Sequence, residues 1–174
     1  MGRSEEITEL VNTLIPACGK TMVLDADALF AVAQDISVLK RAAKPPVLTP
    51  HDGEFARLMP EQSGDRISDA REFARENECV LVLKGHRTVI AFPDGEVYIT
   101  QTGSPGMAKG GSGDVLSGVI GAMLCQLPLK KAVITAVWLH GRAGDIACDR
   151  LGEYSMTAMD IIEDLPAAAK SVTR

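Results

Sequence analysis

A glycine-rich segment that runs directly into an apolar helix signal constrains this chain more than any other feature. Residues 103–114 hold five glycines and end in Asp114, and an amphipathic apolar run follows from Val115 to Leu127. Glycine lets the backbone approach a ligand closely, and the first turn of a helix leaves N–H groups unpaired at the positive end of its dipole. The segment therefore predicts an anion site, most simply for phosphate. Because a carboxylate repels phosphate, Asp114 indicates a base or a partner of a metal ion.

Two familiar phosphate-binding motifs are excluded here. The segment lacks the Gly-Lys-Ser/Thr ending of a Walker A loop, and Gly111 and Gly113 lack the third glycine of the dinucleotide fingerprint. A purely structural turn before a helix is the alternative that this segment alone leaves open.

Composition narrows the class of protein. The chain has 174 residues, enough for one compact domain, and a net charge of −5 without any Lys/Arg block, which argues against nucleic acid as a partner. We find no apolar run of membrane-spanning length and no secretory signal pattern. The four cysteines form no Cys-x-x-Cys pair, so we expect small buried side chains in a reducing cytoplasm and neither a disulfide nor a zinc site: Cys18, Cys79, Cys125 and Cys148.

Helix and strand signals alternate along the chain, which predicts a layered α/β domain. Ser4 is the expected cap of a first helix, with Ile7, Leu10, Val11 and Leu14 on its apolar face, and the stretch from Pro16 to Gly19 should end it. A second helix is expected from Asp25 toward Leu39, and a third begins with Thr49 as its cap and Pro50 as its first residue. A fourth should start at Asp65 or Ser68 and run through Phe73. Two long helices are expected near 114–127 and 129–150, and a last helix after a capping box of Thr157 and Asp160.

Five short strands are expected among these helices. Residues 21–24, 47–48 and 79–83 have the apolar character of strands buried in a parallel sheet. Residues 88–91 and 96–100 flank Pro93-Asp94-Gly95, which predicts a hairpin.

Polar residues follow the three parallel strands directly, in Asp25-Ala-Asp27, residues 49–54 and residues 84–88. Ligands of open α/β sheets bind at the carboxyl ends of the strands, so these loops and the glycine segment are expected to converge on one site. Each residue alone has a simpler alternative: Asp25 as a helix cap, His51 as an exposed first-turn residue, Lys84 as a solvated lysine.

Four motifs in this order resemble the ADP/ATP-dependent NAD(P)H-hydrate dehydratases of the ribokinase-like superfamily. They are Asp25-Ala-Asp-Ala-Leu29, Thr49-Pro-His-x-Gly-Glu54, Leu83-Lys-Gly-x-x-Thr88 and Gly106-Met-Ala-x-Gly-Gly-Ser-Gly-Asp-Val-Leu116. The resemblance implies a ribokinase-like α/β fold with a mostly parallel central sheet flanked by helices, as one domain over residues 1–174. It also implies a cytoplasmic enzyme that uses ADP or ATP to remove water from hydrated NADH or NADPH.

The same resemblance implies the site residues. Asp114 is the expected catalytic base and also contacts the hydrate, together with His51 and Gly2. The adenine nucleotide is expected on Lys84, Gly85, His86, Arg87, Thr88, Gly110, Gly111, Ser112 and Gly113. Glu54 matches the acid of the superfamily's Asn-x-x-Glu motif and is the expected ligand of Mg²⁺. His51 stands at the Asn position of that motif, which favours a dehydratase over the related vitamin-precursor kinases.

The chain also departs from the family pattern. Asp52 replaces a frequent proline, Ser104 a frequent asparagine, and Lys109 a frequent threonine; we expect Lys109 to add positive charge beside the phosphate loop. Met1-Gly2 resembles the end of a family loop that earlier strands precede, so the chain resembles the C-terminal portion of the domain, without its N-terminal strands. An exposed sheet edge and exposed apolar surface, which a partner chain would cover, are therefore expected. The family resemblance implies a homo-oligomer. A small-molecule kinase and a nucleotide-binding fragment without turnover are the alternatives.

Overall fold

The computed structural model describes residue 2 and residues 4–172, and these form two compact units. The first unit comprises residues 1–85 and 89–99, and the second comprises residues 86–88 and 100–174. Met1 lies outside the described residues. The single domain over residues 1–174 stays a prediction, and each unit is described by itself.

The first unit is a five-stranded mixed sheet with helices. Its sheet order is β1-β2-β3-β4-β5, parallel between β1 and β2 and between β2 and β3, then antiparallel. The antiparallel part includes the hairpin that the Pro-Asp-Gly turn predicted. The elements in chain order are α1 (Glu5–Ala17), β1 (Val23–Leu24), α2 (Asp27–Gln34), a 3-10 helix (Ile36–Arg41), β2 (Val47–Leu48), α3 (Asp52–Leu58), α4 (Arg66–Glu76), β3 (Val80–Leu83), β4 (Val89–Ala91) and β5 (Val97–Ile99).

Strands β2 and β3 lie at the centre of the first unit. Every side chain of both strands is buried, as the unbroken apolar runs predict. Their parallel register pairs Val47 with Val80 and Leu48 with Leu81. Because burial of each aliphatic side chain contributes roughly 1.5–3 kcal/mol, these strands fix the sheet edge from which the polar loops extend.

Helix α1 differs from its prediction in one respect. Ser4 is its cap, but Leu10 and Leu14 are 47% and 46% exposed, whereas Val11 and Ile15 are the buried pair. The apolar stripe is wider than the buried face, and periodicity alone did not show which edge packs inward. As expected, the helix ends within the stretch from Pro16 to Gly19: its last residue is Ala17, so Pro16 lies in the last turn. A proline in the last turn removes only one terminal hydrogen bond.

The expected cap of α3 is also wrong. Thr49 is fully buried, and His51, two residues later, is the N-cap. The Thr-Pro pair is extended backbone that joins β2 to the helix, because Thr49 N–H donates to the carbonyl of Leu24 at 3.1 Å and so prolongs the sheet.

The second unit is helical. It contains a 3-10 turn (Pro105–Met107), α5 (Ser112–Leu124), α6 (Leu129–Leu151) and α7 (Ala158–Lys170). Thr102 and Met107 pack closely against α6 because Gly141 and Gly144 of this helix have no side chains. A Cβ at these two positions would overlap Thr102 and Met107. The core between the helices is formed by Leu139, Ala143, Ala147, Met156, Ile161 and Ala168.

The prediction that the cysteine side chains are buried is confirmed at one position. Cys79 is buried beside β3, whereas Cys18 and Cys148 are half-buried and Cys125 is exposed. The prediction of four buried side chains is therefore wrong for three of them, each of which lies at or near the C-terminal end of a helix. Within residues 4–172, none of the helices combines the length and apolar character needed to cross a bilayer.

Candidate functional site

The carboxyl ends of β1, β2 and β3 bring three charged side chains together in the first unit. The Lys84 ammonium lies 2.9 Å from Asp25 Oδ1 and 3.9 Å from Glu54 Oε2. The three side chains are only 22%, 16% and 15% exposed. Parallel strands end at one edge of a sheet, so the three loops meet there as expected. Lys84 is not the solvated lysine of the simpler alternative.

His51 is both exposed and structurally engaged. Its side chain is 59% exposed, while its Nδ1 accepts a hydrogen bond from the N–H of Glu54 at 3.2 Å. The Glu54 carboxylate in turn accepts from the His51 N–H at 2.9 Å, which completes a capping box. Since Nδ1 is an acceptor, a neutral His51 ring carries its proton on Nε2, which lies 3.6 Å from Glu54 Oε2. The ring can therefore present one N–H donor to a ligand.

A strained residue separates the two aspartates after β1. Ala26 has a φ of +49°, which side-chain-bearing residues rarely adopt. Asp25 Oδ1 accepts from the Ala26 N–H at 2.9 Å and from the Lys84 ammonium, and Asp27 Oδ2 accepts from the Gly2 N–H at 2.8 Å. Such strain persists only where the surroundings over-determine it. Here it sends the two carboxylates to different partners.

Arg66 supports the end of β3 and was not predicted. Its guanidinium donates to the carbonyls of Leu83 at 3.0 Å and Lys84 at 2.8 Å, and to Asp52 Oδ1 at 2.9 Å. A Cβ on Gly85 would lie 2.8 Å from the same guanidinium, so this approach depends on glycine. The contact joins residues 17 and 18 positions apart, and no local sequence signal indicates it.

The expected nucleotide segment after β3 has unusual backbone geometry. Gly85 has a φ of +156° and Arg87 a φ of +60°. Lys84 and Gly85 group with the first unit, and His86, Arg87 and Thr88 with the second. Gly85, His86 and Arg87 are exposed. Exposed backbone in a turn suits the recognition of a ligand by N–H and C=O groups, but the sequence pattern did not predict the positive φ at Arg87.

The glycine segment lies in the second unit and ends in the first turn of α5. Gly111 is the N-cap, with a φ of +91° that favours glycine. Asp114 lies in the first turn and is exposed, so its carboxylate is accessible to a ligand and not part of a packed interior. Gly110 is exposed and Gly113 half-buried. The Ser112 hydroxyl is buried, and no described residue hydrogen-bonds to it.

Two residues of α6 fix the ends of this segment. The buried His140 ring donates from Nε2 to the Ser112 carbonyl at 3.0 Å, since a carbonyl only accepts. Asp145 Oδ1 accepts from the Gly103 N–H at 3.0 Å. Burial raises the pKa of the Asp145 carboxyl above the usual range of aspartate, against the opposing effect of that hydrogen bond. No local sequence signal indicates either residue, because their partners lie 28 and 42 positions away.

Lys109 is placed differently from the expectation. Its ammonium donates to the carbonyls of Glu153 at 2.8 Å, Tyr154 at 3.0 Å and Met156 at 2.6 Å. An ammonium has three N–H donors, so all of them are engaged. The side chain therefore anchors the glycine segment and does not offer its hydrogen bonds to a phosphate.

A magnesium ion fits the first unit only with help from a bound phosphate. Among residues 4–172, no three His, Cys, Asp or Glu side chains form a group able to hold a metal. Mg²⁺ is commonly bound by one or two carboxylates together with substrate phosphates. Glu54 supplies one such carboxylate, half-buried and preorganised by its hydrogen bond from His51, so the donor chemistry fits.

Comparison with known proteins decides the family. The sequence model of the NAD(P)H-hydrate dehydratase family matches residues 1–167. The chain belongs to this family. It is 46% identical over 178 residues to the bifunctional NAD(P)H-hydrate repair enzyme Nnr of Moorella thermoacetica, covering 99% of this chain and 33% of that protein.

Solved structures agree with the family and the fold. The ADP/ATP-dependent NAD(P)H-hydrate dehydratase from Bacillus subtilis, co-crystallised with ATP and Mg²⁺, matches with a TM-score of 0.85 at 35% identity, over 98% of this chain and 61% of that one. A ribokinase-like superfamily protein from Enterococcus faecalis matches with a TM-score of 0.79 at 26% identity. These matches confirm the ribokinase-like α/β prediction. The chain spans about a third to three-fifths of the length of these family relatives.

Proposed function

We propose that this chain carries the catalytic base and the nucleotide-binding segments of an ADP- or ATP-dependent NAD(P)H-hydrate dehydratase. With ADP, the products would be NADH or NADPH, AMP and phosphate. The observation that carries this proposal is the exposed carboxylate of Asp114 in the first turn of α5, directly after a glycine segment. Membership of the dehydratase family supports it.

Asp114 removes a proton from the hydroxyl of the hydrate. An alcohol is too weakly acidic to ionise at neutral pH, so a positioned carboxylate is needed as the base. The hydroxyl oxygen then attacks the terminal phosphorus of the nucleotide, and the bond from that phosphorus to the leaving nucleotide oxygen breaks.

Backbone N–H groups stabilise the charge that spreads over the transferred phosphoryl group. Phosphoryl transfer depends mainly on positioning and electrostatic stabilisation, and the first turn of α5 supplies both from Gly111, Ser112 and Gly113. The buried Ser112 hydroxyl without a partner fits the same task. The adenine nucleotide also contacts Gly110 and the segment of residues 84–88 in this proposal.

The family motifs supply the remaining contacts of this proposal. His51, whose Nε2 carries a proton in the neutral ring, donates to the hydrate, and the backbone of Gly2 contacts it as well. Glu54 would hold Mg²⁺ against the nucleotide phosphates, where the ion would neutralise phosphate charge. Lys84, held between Asp25 and Glu54, adds a positive charge for the nucleotide.

Phosphate leaves in the second half of the reaction. The lone pair of the ring nitrogen helps to break the carbon–oxygen bond, so the phosphate departs with both bonding electrons. Loss of a proton from the neighbouring ring carbon then restores the double bond of the reduced nicotinamide. Phosphate is a far better leaving group than hydroxide, and this explains why a nucleotide is consumed to remove water.

The proposal is tested by supplying hydrated NADH to the 174-residue chain with ADP, with ATP or with neither. Return of the reduced-nicotinamide absorbance, matched by phosphate release and dependent on a nucleotide, is the expected result. A stable phosphorylated product would assign a small-molecule kinase instead. Nucleotide binding without phosphate release would assign a binding fragment.

We propose a cytoplasmic homo-oligomer as the working form. Support comes from Leu10 and Leu14, two exposed leucines four residues apart on α1, since neighbouring exposed apolar side chains can mark an interface. Light scattering at several protein concentrations measures the oligomeric state, and a monomer at all of them would contradict this part of the proposal.

A further inference from the structure

Lys109 forms an unusually complete set of contacts for a residue in a loop. Its ammonium meets three carbonyl oxygens at 2.6–3.0 Å, all from the connection between α6 and α7. Hydrogen bonds from an ionised donor are stronger than neutral ones. We call residues 152–158 the backing turn, because the glycine segment rests on it.

Two glycines of the segment contact the same backing turn. A Cβ on Gly106 would lie 2.5 Å from Met156 Sδ and 3.0 Å from Glu153 Cα, and a Cβ on Gly111 would lie 3.1 Å from the Ala158 Cβ. Positions 106, 109 and 111 therefore all meet residues 153–158. The lysine makes the polar contact, and the two glycines allow the close approach on either side of it.

The anchor lies next to the backbone expected to bind phosphate. The Lys109 N–H donates to the Met107 carbonyl at 2.8 Å, and the Lys109 carbonyl accepts from the Ser112 N–H at 3.4 Å. Lys109 is thus hydrogen-bonded on both sides within the segment. Fixing its side chain fixes the path of Gly110 and Gly111 into the first turn of α5.

We propose that Lys109 is a positioning residue for the phosphate-binding backbone of residues 110–113. Its three hydrogen bonds hold the glycine segment on the backing turn, so the N–H groups keep the geometry that a nucleotide phosphate requires before it arrives. The inference rests on the proposed function for the identity of the ligand. The anchoring itself is a property of the free chain and is measurable without any ligand.

The test compares Lys109→Met, which keeps the apolar stem but no donors, with Lys109→Arg, which keeps the charge and several donors. Lys131→Met, at an exposed lysine of α6, is the matched control. In the free protein, we expect Lys109→Met to speed amide hydrogen exchange about tenfold at Ser112 and Val115, as loss of a charge-assisted hydrogen bond would, and to leave β2 and β3 unchanged. The N–H groups of these two residues donate to the carbonyls of Lys109 at 3.4 Å and Gly111 at 3.1 Å. The KM for ADP should rise about tenfold, with the KM for the hydrate within about twofold of the wild-type value.

Lys109→Arg should restore most of the protection and of the ADP affinity, and Lys131→Met should behave like the wild type. If Lys109→Met does not fold, Lys109→Gln, which retains two N–H donors, is measured in the same way and should give intermediate values. Unchanged exchange at Ser112 and Val115 overturns the proposal. So does faster exchange throughout α5–α7 with equal changes in both KM values, because that pattern marks general destabilisation.

The two proposals fail separately. If the wild type releases no phosphate, the dehydratase assignment fails, and the exchange rates with the affinity for AMP still test the anchor. If the wild type turns over normally and Lys109→Met matches it in exchange and in ADP affinity, the anchor fails and the dehydratase assignment stands.

Discussion

Lys84 illustrates how a residue at the end of a buried strand acquires both structural and chemical importance. Its ammonium lies between Asp25 and Glu54, and the three side chains are mostly buried. Both carboxylates lie within 3.9 Å of this ammonium, so removal of the cation takes a compensating positive charge away from two mostly buried negative charges.

We expect Lys84→Met to lower the free energy of unfolding by about 2 kcal/mol, because charged hydrogen-bond partners are lost. In a double-mutant cycle with Asp25→Asn, the coupling energy should be about 1.5 kcal/mol. Urea denaturation measures both values. Lys44→Met, at an exposed lysine, is the control and should change stability by less than about 0.5 kcal/mol. Additive effects of the two site mutations would contradict the pairing.

At the residue scale, the sequence predicted the side chains that come directly after a strand or open a helix, and missed those that reach across the chain. Asp25, His51 and Lys84 were expected together because parallel strands end at one edge. Arg66, His140 and Asp145 were missed because their contacts depend on packing between distant segments. For Lys109 the charge was noticed, but its partners, 44 to 47 positions away, were not.

At the scale of elements, helix ends were likewise predicted where the sequence signal is local and missed where it depends on the sheet. The capping box of Thr157 and Asp160 at the start of α7 was predicted from a local pattern and is confirmed. The cap of α3 was placed two residues early, because Thr-Pro is a common helix start and histidine is not a common cap. Local patterns predict that a helix forms, but pairing with neighbouring strands determines at which residue the extended backbone ends.

Asp160 provides a pH test of the α7 cap. Hydrogen bonds from the Thr157 hydroxyl and N–H, and then the charge of Arg150, hold the pKa of its carboxyl below the usual value for aspartate. The pKa of this carboxyl is about 3.9 in the unfolded chain and lower in the folded one. Its contribution to stability is therefore fully present above about pH 3.9 and is lost as the pH falls through the folded-state pKa. Asp160→Asn should therefore lower the thermal midpoint at neutral pH, with a smaller difference near pH 3. A difference that is the same at both pH values would contradict the assignment.

At the scale of the whole molecule, ligand binding is linked to stability. If the chain binds ADP in its folded state only, ADP at about one hundred times its Kd should stabilise it by about 2.7 kcal/mol. For a chain of this size, that free energy raises the thermal midpoint by about 5–10 °C. Differential scanning fluorimetry measures the shift. The absence of a shift at millimolar ADP would contradict nucleotide binding by this chain, whatever its catalytic activity.

The most direct test of the account is the turnover of hydrated NADH by Asp114→Asn in the presence of ADP. The amide keeps the size of the side chain but cannot accept the proton, so turnover should fall at least about 100-fold, while the Kd for ADP stays within about threefold. Asp149→Asn, at an exposed aspartate of α6, is the matched control and should retain wild-type activity. Normal turnover by Asp114→Asn would contradict the assignment of this carboxylate as the base.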